Sequence, residues 1–157
     1  MFGFGKNKVK LSFIYKNKSW LSNIPDIEKI SERVLKNTFK TVGVKQVKGM
    51  EINILLTSDK EIQELNKNYR GKNKPTNVLS FETGDEFLLG DIVMSWATLK
   101  KEAVAGKISV KDHYAHLLCH GILHLLGFDH IDEDEANEME FFEVKILKTM
   151  KIQNPYE

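Results

Sequence analysis

The segment that most constrains this chain runs from His120 to His130 and reads H-G-I-L-H-L-L-G-F-D-H. On an α-helix, His120 and His124 lie four residues apart and therefore share one face. Gly127 follows three residues after the second histidine, and glycine tolerates the left-handed conformation that ends many helices. The chain can then double back and bring His130 to the same point. The spacing predicts a helix that ends in a tight turn beside three converging imidazoles.

Three neutral imidazoles with one open coordination position are typical of a catalytic zinc site, because structural zinc sites usually close with four protein ligands. We therefore predict one Zn²⁺ per chain, held by His120, His124 and His130, although imidazole also suits nickel, copper and iron. His116 shares the face of His120 and offers a fourth ligand, but we favour a packed or hydrogen-bonded residue. Cys119 is interpreted as a small buried residue rather than a thiolate ligand.

The residue after the first histidine decides between two kinds of metal chemistry. The histidine spacing and Gly127 match the metzincin protease pattern H-E-x-x-H-x-x-G-x-x-H. In those enzymes the Glu takes a proton from the water, but this chain has Gly121 there and no other acid between His120 and Phe128. The pattern indicates a metal-dependent hydrolase acting on something other than a peptide, or a metal site without catalysis.

The net charge of +1 conceals a strong asymmetry along the chain. Residues 1–48 contain eleven Lys or Arg against three acids, whereas residues 129–143 contain eight acids and no Lys or Arg. The basic part offers a surface for a polyanion such as RNA, and an ordinary solvated face explains it equally well. In the acidic part, Asp129, Asp132 or Glu135 could accept the free ring N–H of a ligand histidine. The same acids also suit the N-cap and first turn of a final helix.

Length and composition indicate one domain over residues 1–157, long enough to bury a core. No stretch approaches the roughly 20 apolar residues of a membrane span, so no membrane partner is expected. The opening residues lack the apolar run of a signal peptide, and a single cysteine cannot form an internal disulfide. Together these features favour a cytoplasmic location.

Hydrophobic periodicity predicts an α+β fold: a single domain with a four-stranded mixed sheet, about five helices and the metal site on a long central helix. Val9, Leu11 and Phe13 share one face of the first strand, and Ile27, Ile30 and Val34 share one side of the first helix. Ser58, Ser109 and Asp132 are predicted to cap three later helices. The predicted strands are 9–15, 50–57, 77–81 and 88–95, and the predicted helices begin near 25, 58, 96, 109 and 132.

A basic loop, residues 69–76, follows the second helix and leads into the third strand. Arg70, Lys72 and Lys74 can project from it toward a phosphate backbone. Arg70 is one of only two arginines in the chain, and a planar guanidinium can clamp a phosphate with two parallel hydrogen bonds. Beside a metal site, Arg70 becomes a candidate for stabilising charge in the transition state, with Lys72 and Lys74 binding flanking phosphates.

Four segments together resemble the YbeY family of bacterial endoribonucleases. They are L-N-K-N-Y-R-G-K-N-K-P-T-N-V-L-S-F (65–81), L-G-D-I-V (89–93), H-G-I-L-H-L-L-G-F-D-H (120–130) and E-A-N-E-M-E (135–140). The resemblance covers roughly residues 50–150. It implies a metal-dependent endoribonuclease specific for single strands, zinc at His120, His124 and His130, and a functional Arg70.

The same resemblance implies a role in ribosome maturation, including the 3′ end of the small-subunit rRNA, and in ribosome quality control. RNA and the ribosome or its proteins are the expected partners, and DNA is not. This chain has Asn77 where the family typically has Asp, which removes a carboxylate that could orient a ligand or the arginine. Two alternatives remain: a ribosome-associated factor whose metal is structural, and a metalloprotease, against which Gly121 argues.

Overall fold

Helices and strands alternate along most of the chain, as the periodicity predicts. A computed structural model describes residues 8–46, 48–85 and 87–157. In chain order the elements are β1 (Lys10–Tyr15), α1 (Ser19–Asn23), α2 (Ile27–Val42), β2 (Glu51–Thr57), α3 (Asp59–Arg70), β3 (Val78–Glu82), β4 (Leu88–Ser95), α4 (Trp96–Gly106), α5 (Val110–Leu125) and α6 (Glu133–Thr149).

The four strands form one mixed sheet in the order β1-β2-β4-β3, which confirms the predicted fold class. β1, β2 and β4 run parallel, and β3 pairs antiparallel with β4 at one edge. Helix α2 supplies the crossover that a parallel β1–β2 pair needs. The sequence analysis missed α1, which has only five residues and shows no helical period. It buries Trp20 edge-on against Trp96 and Tyr114.

One face of the sheet carries the main core. Strands β2 and β4 present buried Ile and Leu residues and Met94 to α2, α5 and α6. The predicted inward residues of α2 are buried, and so are Val9 and Leu11 near β1. Helix α5 is the central helix, with ten of its sixteen residues buried. Since it is enclosed on several sides, it shows little amphipathic character.

The opposite face of the sheet is covered only in part. Helix α3 packs there through Ile62 against Leu79 and Val93, which form a small second cluster. Beyond that cluster, Ile14 and Tyr69 remain exposed. The sheet therefore has one fully buried face and one face with an open apolar margin beside α3.

Two of the three predicted helix caps are confirmed. The side chains of Ser109 and Asp132 accept hydrogen bonds from the backbone N–H groups of Asp112 and Glu135, at 3.1 and 2.8 Å. The capping box predicted at Ser58 is wrong. Ser58 lies at the N-cap, but its side chain makes no capping hydrogen bond, and Thr57 donates to Glu61 instead.

Across the residues that the structure describes, no helix is both long and apolar enough to cross a membrane. Residues 1–7 lie outside the described part of the chain. Two predictions concern these undescribed residues: the absence of a signal peptide and the start of the 1–157 domain.

Gly90 in β4 lies where no side chain fits. A Cβ atom there would stand 2.2 Å from the backbone oxygen of Phe81 and 2.7 Å from Leu125. We expect Gly90→Ala to lower the free energy of unfolding by about 1–3 kcal/mol, because a methyl group must displace backbone. Urea denaturation followed by circular dichroism measures the change.

Gly106→Ala is the matched control, since its new methyl would meet Ile108 only at an ordinary 3.8 Å. That variant should unfold at the wild-type urea concentration or slightly above it. Equal midpoints for the Gly90 and Gly106 variants would show that β3 and β4 are not packed this closely.

Candidate metal centre and basic cleft

The end of α5 brings the three predicted histidines together. His120 and His124 lie on its last turns, and the helix ends at Leu125. Gly127 adopts a left-handed conformation (φ +101°), and its N–H donates to the carbonyl of His124 at 3.0 Å. This turn reverses the chain and returns His130 to the other two rings. The arrangement follows the sequence prediction, including the need for glycine at the turn.

The three rings converge closely enough for one metal ion. One ring nitrogen from each histidine lies within 4.8 Å of the others, and the Nε2 atoms of His120 and His124 are 3.1 Å apart. A tetrahedral ion bound at about 2.0–2.1 Å would hold its nitrogen ligands roughly 3.3 Å apart. Only nitrogen donors converge here, which suits zinc and other borderline metals. The donor set therefore fits the ion that the sequence predicts.

His124 is held in the form that a metal requires. Burial, together with the neighbouring His120 and His130, lowers its pKa to about 4. The ring is therefore neutral at pH 7, and its nitrogen lone pair is available.

Glu143 on α6 orients the first histidine. Its carboxylate is 1% exposed and accepts a hydrogen bond from Nδ1 of His120 at 3.2 Å. His116 Nε2 and the Tyr156 hydroxyl also bond this carboxylate, at 2.7 and 2.9 Å. Burial raises the pKa of Glu143, but the hydrogen bonds from the two histidines outweigh it and bring the pKa to about 2. An ionised Glu143 makes Nδ1 of His120 the donor and turns Nε2 toward the other rings.

Sequence reasoning placed this carboxylate elsewhere. It named Asp129, Asp132 and Glu135, but Asp132 caps α6 and Asp129 accepts the backbone N–H of His130 at 2.8 Å. Glu135 lies in the first turn of α6. The available signal was the position of Glu143 within the apolar stripe of α6, four residues after Met139 and three before Ile146. A charge on a buried stripe needs partners.

The structure agrees with the interpretation of His116 as a hydrogen-bonded residue and of Cys119 as a small buried residue. His116 is hydrogen-bonded to Glu143 rather than placed with the three converging rings. Cys119 is fully buried, and burial raises the pKa of its thiol far above the ordinary value. A neutral buried thiol is a poor metal ligand.

Gly121 packs closely against the sheet. A Cβ atom at this position would meet two side-chain atoms of Ile92 and the Oγ of Ser80, each at 3.2 Å. These side chains would have to shift by a few tenths of an ångström to accept even a methyl group. Glycine therefore suits the close approach of α5 to the sheet, and it supplies no peptidase base.

The basic loop and the histidines line one cleft of about 660 Å³. Arg70, Lys72 and Lys74 line it together with the three rings, and Glu82 and Asp129 are the acids in its lining. Gly71 ends α3 in a left-handed conformation, and the Asn66 side chain donates to the carbonyl of Lys74 at 2.9 Å. These contacts hold the loop at the cleft.

Arg70 is held in place by two contacts. Its Nη2 donates to the carbonyl of Ser80 at 2.8 Å, and its guanidinium lies over the Phe81 ring at 5.7 Å. A guanidinium carries five N–H donors, so one bond to Ser80 leaves others for a phosphate. Its orientation is set before any substrate binds.

Asn77 lines the same cleft, but its side chain is hydrogen-bonded to other groups than the histidines and Arg70. Its side-chain amide donates to the carboxylate of Glu102 at 3.1 Å, and its Oδ1 accepts the N–H of Val78 at 2.7 Å. Glu102 in turn bonds His113 at 2.8 Å. An Asp at position 77 would set two carboxylates against each other, so the amide suits this environment.

Comparison with known proteins identifies the family of this chain. The family model described as endoribonuclease YbeY matches residues 14–151. The endoribonuclease YbeY of Alteromonas mediterranea is 50% identical over 112 residues, covering 68% of this chain and 71% of that protein. Its counterpart in Azorhizobium caulinodans is 38% identical over 154 residues, covering 94% and 96%.

A solved structure shares the fold at low sequence identity. The solution structure of TM1509 from Thermotoga maritima superposes with a TM-score of 0.56, covering 95% of both chains at 19% identity. The family match and the sequence identities show that the chain belongs to the YbeY endoribonuclease family.

Proposed function

We propose that the protein is a metal-dependent endoribonuclease that cuts single-stranded RNA. The observation that carries this proposal is the shared cleft, which is lined by three converging imidazoles and by Arg70, Lys72 and Lys74. A metal site alone would fit many hydrolases. Three cations in the same cleft select a substrate with a negatively charged backbone.

Each group has a separate task. His120, His124 and His130 would hold Zn²⁺, which supplies a Lewis acid and lowers the pKa of a bound water, to about 7 in good zinc sites. Arg70 directs its remaining N–H donors at the phosphate and stabilises negative charge there. Lys72 and Lys74, both exposed, bind neighbouring phosphates and make binding salt-sensitive.

The family extends the proposal to a substrate and a setting. We propose ribosomal RNA as the substrate, with the 3′ end of the small-subunit rRNA as the processed region and ribosome quality control as a further role. The ribosome or its proteins are then the partners, and the cytoplasm is the location. The relatives are endoribonucleases by name, which supports RNA as the substrate class.

A purely structural metal is less well supported by the position of the histidines. His120 and His124 are half-buried, His130 is exposed, and the apolar core of α5 forms without them. A structural metal is usually found where a domain lacks such an apolar core. The protease alternative has less support, because Gly121 supplies no general base after the first histidine.

We expect Arg70→Ala to lower the rate of RNA cleavage by about a hundredfold or more, because a preorganised cation at the phosphate is lost. The control is Arg33→Ala, which changes the only other arginine of the chain. Arg33 is exposed on α2, and this variant should cleave RNA at the wild-type rate. Cleavage of a labelled single-stranded RNA and zinc content measure the effect. A fully active Arg70→Ala protein would refute this role.

We expect His124→Ala to lose both bound zinc and RNA cleavage while keeping its fold, because the core does not include the ring. Elemental analysis, circular dichroism and the cleavage assay measure these properties. Wild-type protein treated with a chelator should behave in the same way. Unfolding of both samples would instead identify the metal as a structural element.

We expect Glu143→Gln to weaken zinc affinity about tenfold to a hundredfold, because the amide no longer fixes the His120 ring as a carboxylate does. Competition with a chromophoric chelator measures the affinity. Glu138→Gln, an exposed change on the same helix, is the control. Equal zinc affinities in the two variants would remove Glu143 from this role.

A further inference from the structure

A second groove lies on the other side of strand β3. It has a volume of about 670 Å³, and its apolar lining includes Leu55, Leu65, Tyr69 and Phe81, with Asn53 and Asp91 as polar lining. We call it the sheet groove. It occupies the open margin of the sheet beside α3, where the small second cluster ends.

The sheet groove is continuous with the basic cleft. Phe81 and Glu82, at the end of edge strand β3, line both spaces. The ring of Tyr69 meets that of Phe81 edge-on, with centroids 5.5 Å apart, and Arg70 lies over the same Phe81 ring. Consecutive residues of α3 thus serve adjacent spaces, an aromatic ring in one and the candidate phosphate-binding cation in the other.

Tyr69 presents a large free surface at this junction. It is 70% exposed, although it stands beside a groove that could cover it. An exposed aromatic ring next to a candidate phosphate-binding cation is an arrangement on which proteins stack unpaired bases. Phe81 supports the ring of Tyr69 from one side and leaves the rest of its surface open to a ligand.

The charges separate the two halves of a nucleotide. Asp91 places a carboxylate in the sheet groove alone, which repels a phosphate but can accept hydrogen bonds from the amino groups of a base, while Glu82 borders both spaces. The Asn53 amide, which donates to Asp91 at 3.0 Å, adds a second polar group of the kind that contacts base edges. Arg70, Lys72 and Lys74 lie in the other space, where a phosphate is attracted.

We propose that the sheet groove binds an unpaired nucleobase of the RNA strand whose phosphate lies at Arg70, with Tyr69 and Phe81 as the stacking surface. This inference rests on the proposed function and deepens it, because it states what the enzyme recognises in a single strand. A paired base is already stacked and would have to leave its helix at a cost of a few kcal/mol. The groove therefore favours unpaired RNA.

The test combines a protein change with a substrate change. Zinc-loaded protein cleaves a short single-stranded RNA and a series of copies in which one nucleotide at a time lacks its base. Tyr69→Ala is compared with Tyr69→Phe, which keeps the ring. Phe141→Ala is the control, because Phe141 is 59% exposed and also has a cation over its ring, Lys145, but lies on α6.

Wild-type kcat/KM should fall about fivefold to a hundredfold, mainly through KM, when the base beside the cut is missing. Tyr69→Ala should show the same loss on intact RNA, no further loss on that abasic copy, and wild-type zinc content. Tyr69→Phe and Phe141→Ala should match the wild type. This non-additive pattern is specific to a contact between the ring and the base.

Additive losses, or an unchanged KM in Tyr69→Ala, would overturn the inference while leaving the nuclease intact. Sedimentation that shows self-association in the wild type and none in Tyr69→Ala, with unchanged RNA cleavage, would also overturn it. The groove would then be a contact between copies of the chain. A wild-type protein that cuts no single-stranded RNA would overturn both the proposed function and this inference.

Discussion

The burial of α5 against the sheet determines where every functional group of this protein lies. Most of the helix is enclosed, and Gly121 lets its backbone approach Ile92 of β4 and Ser80 of β3. The apolar area removed from water along this contact stabilises the domain. It also fixes the helix end from which His120 and His124 project. A bulkier residue at position 121 would lift the helix and carry both rings away from the basic loop.

The second constraint is a buried charge. Glu143 is buried on α6, in an environment where an isolated carboxylate would be strongly disfavoured. Three partners compensate it: His116, His120 and Tyr156. Replacing such a group with an apolar residue often leaves stability unchanged, so its retention is better explained by orientation than by stability. Through its hydrogen bonds with Tyr156 and His120, Glu143 connects α6 and the segment after it to one ring of the candidate metal centre.

The edge strand β3 divides two chemically different spaces. One space is lined by the imidazoles and by cations from the end of α3 and the loop after it, and the other is an apolar groove lined also by aromatic and carboxylate groups. Because alternate side chains of a strand point to opposite faces, Ser80 faces α5 while Phe81 faces α3. A short strand thus borders both the proposed phosphate-binding cleft and the proposed base-binding groove.

Local periodicity carried enough information to predict the strands, five of the six helices among the described residues, and the convergence of the three histidines. A helical step of four residues and a glycine turn act within one segment, so the sequence alone determines them. The acid that orients His120, the failure of Ser58 as a cap, and the sheet groove arise from contacts between segments distant in the chain. The tertiary structure decided these, because the distance between side chains on different elements depends on how the elements pack, which no local pattern encodes.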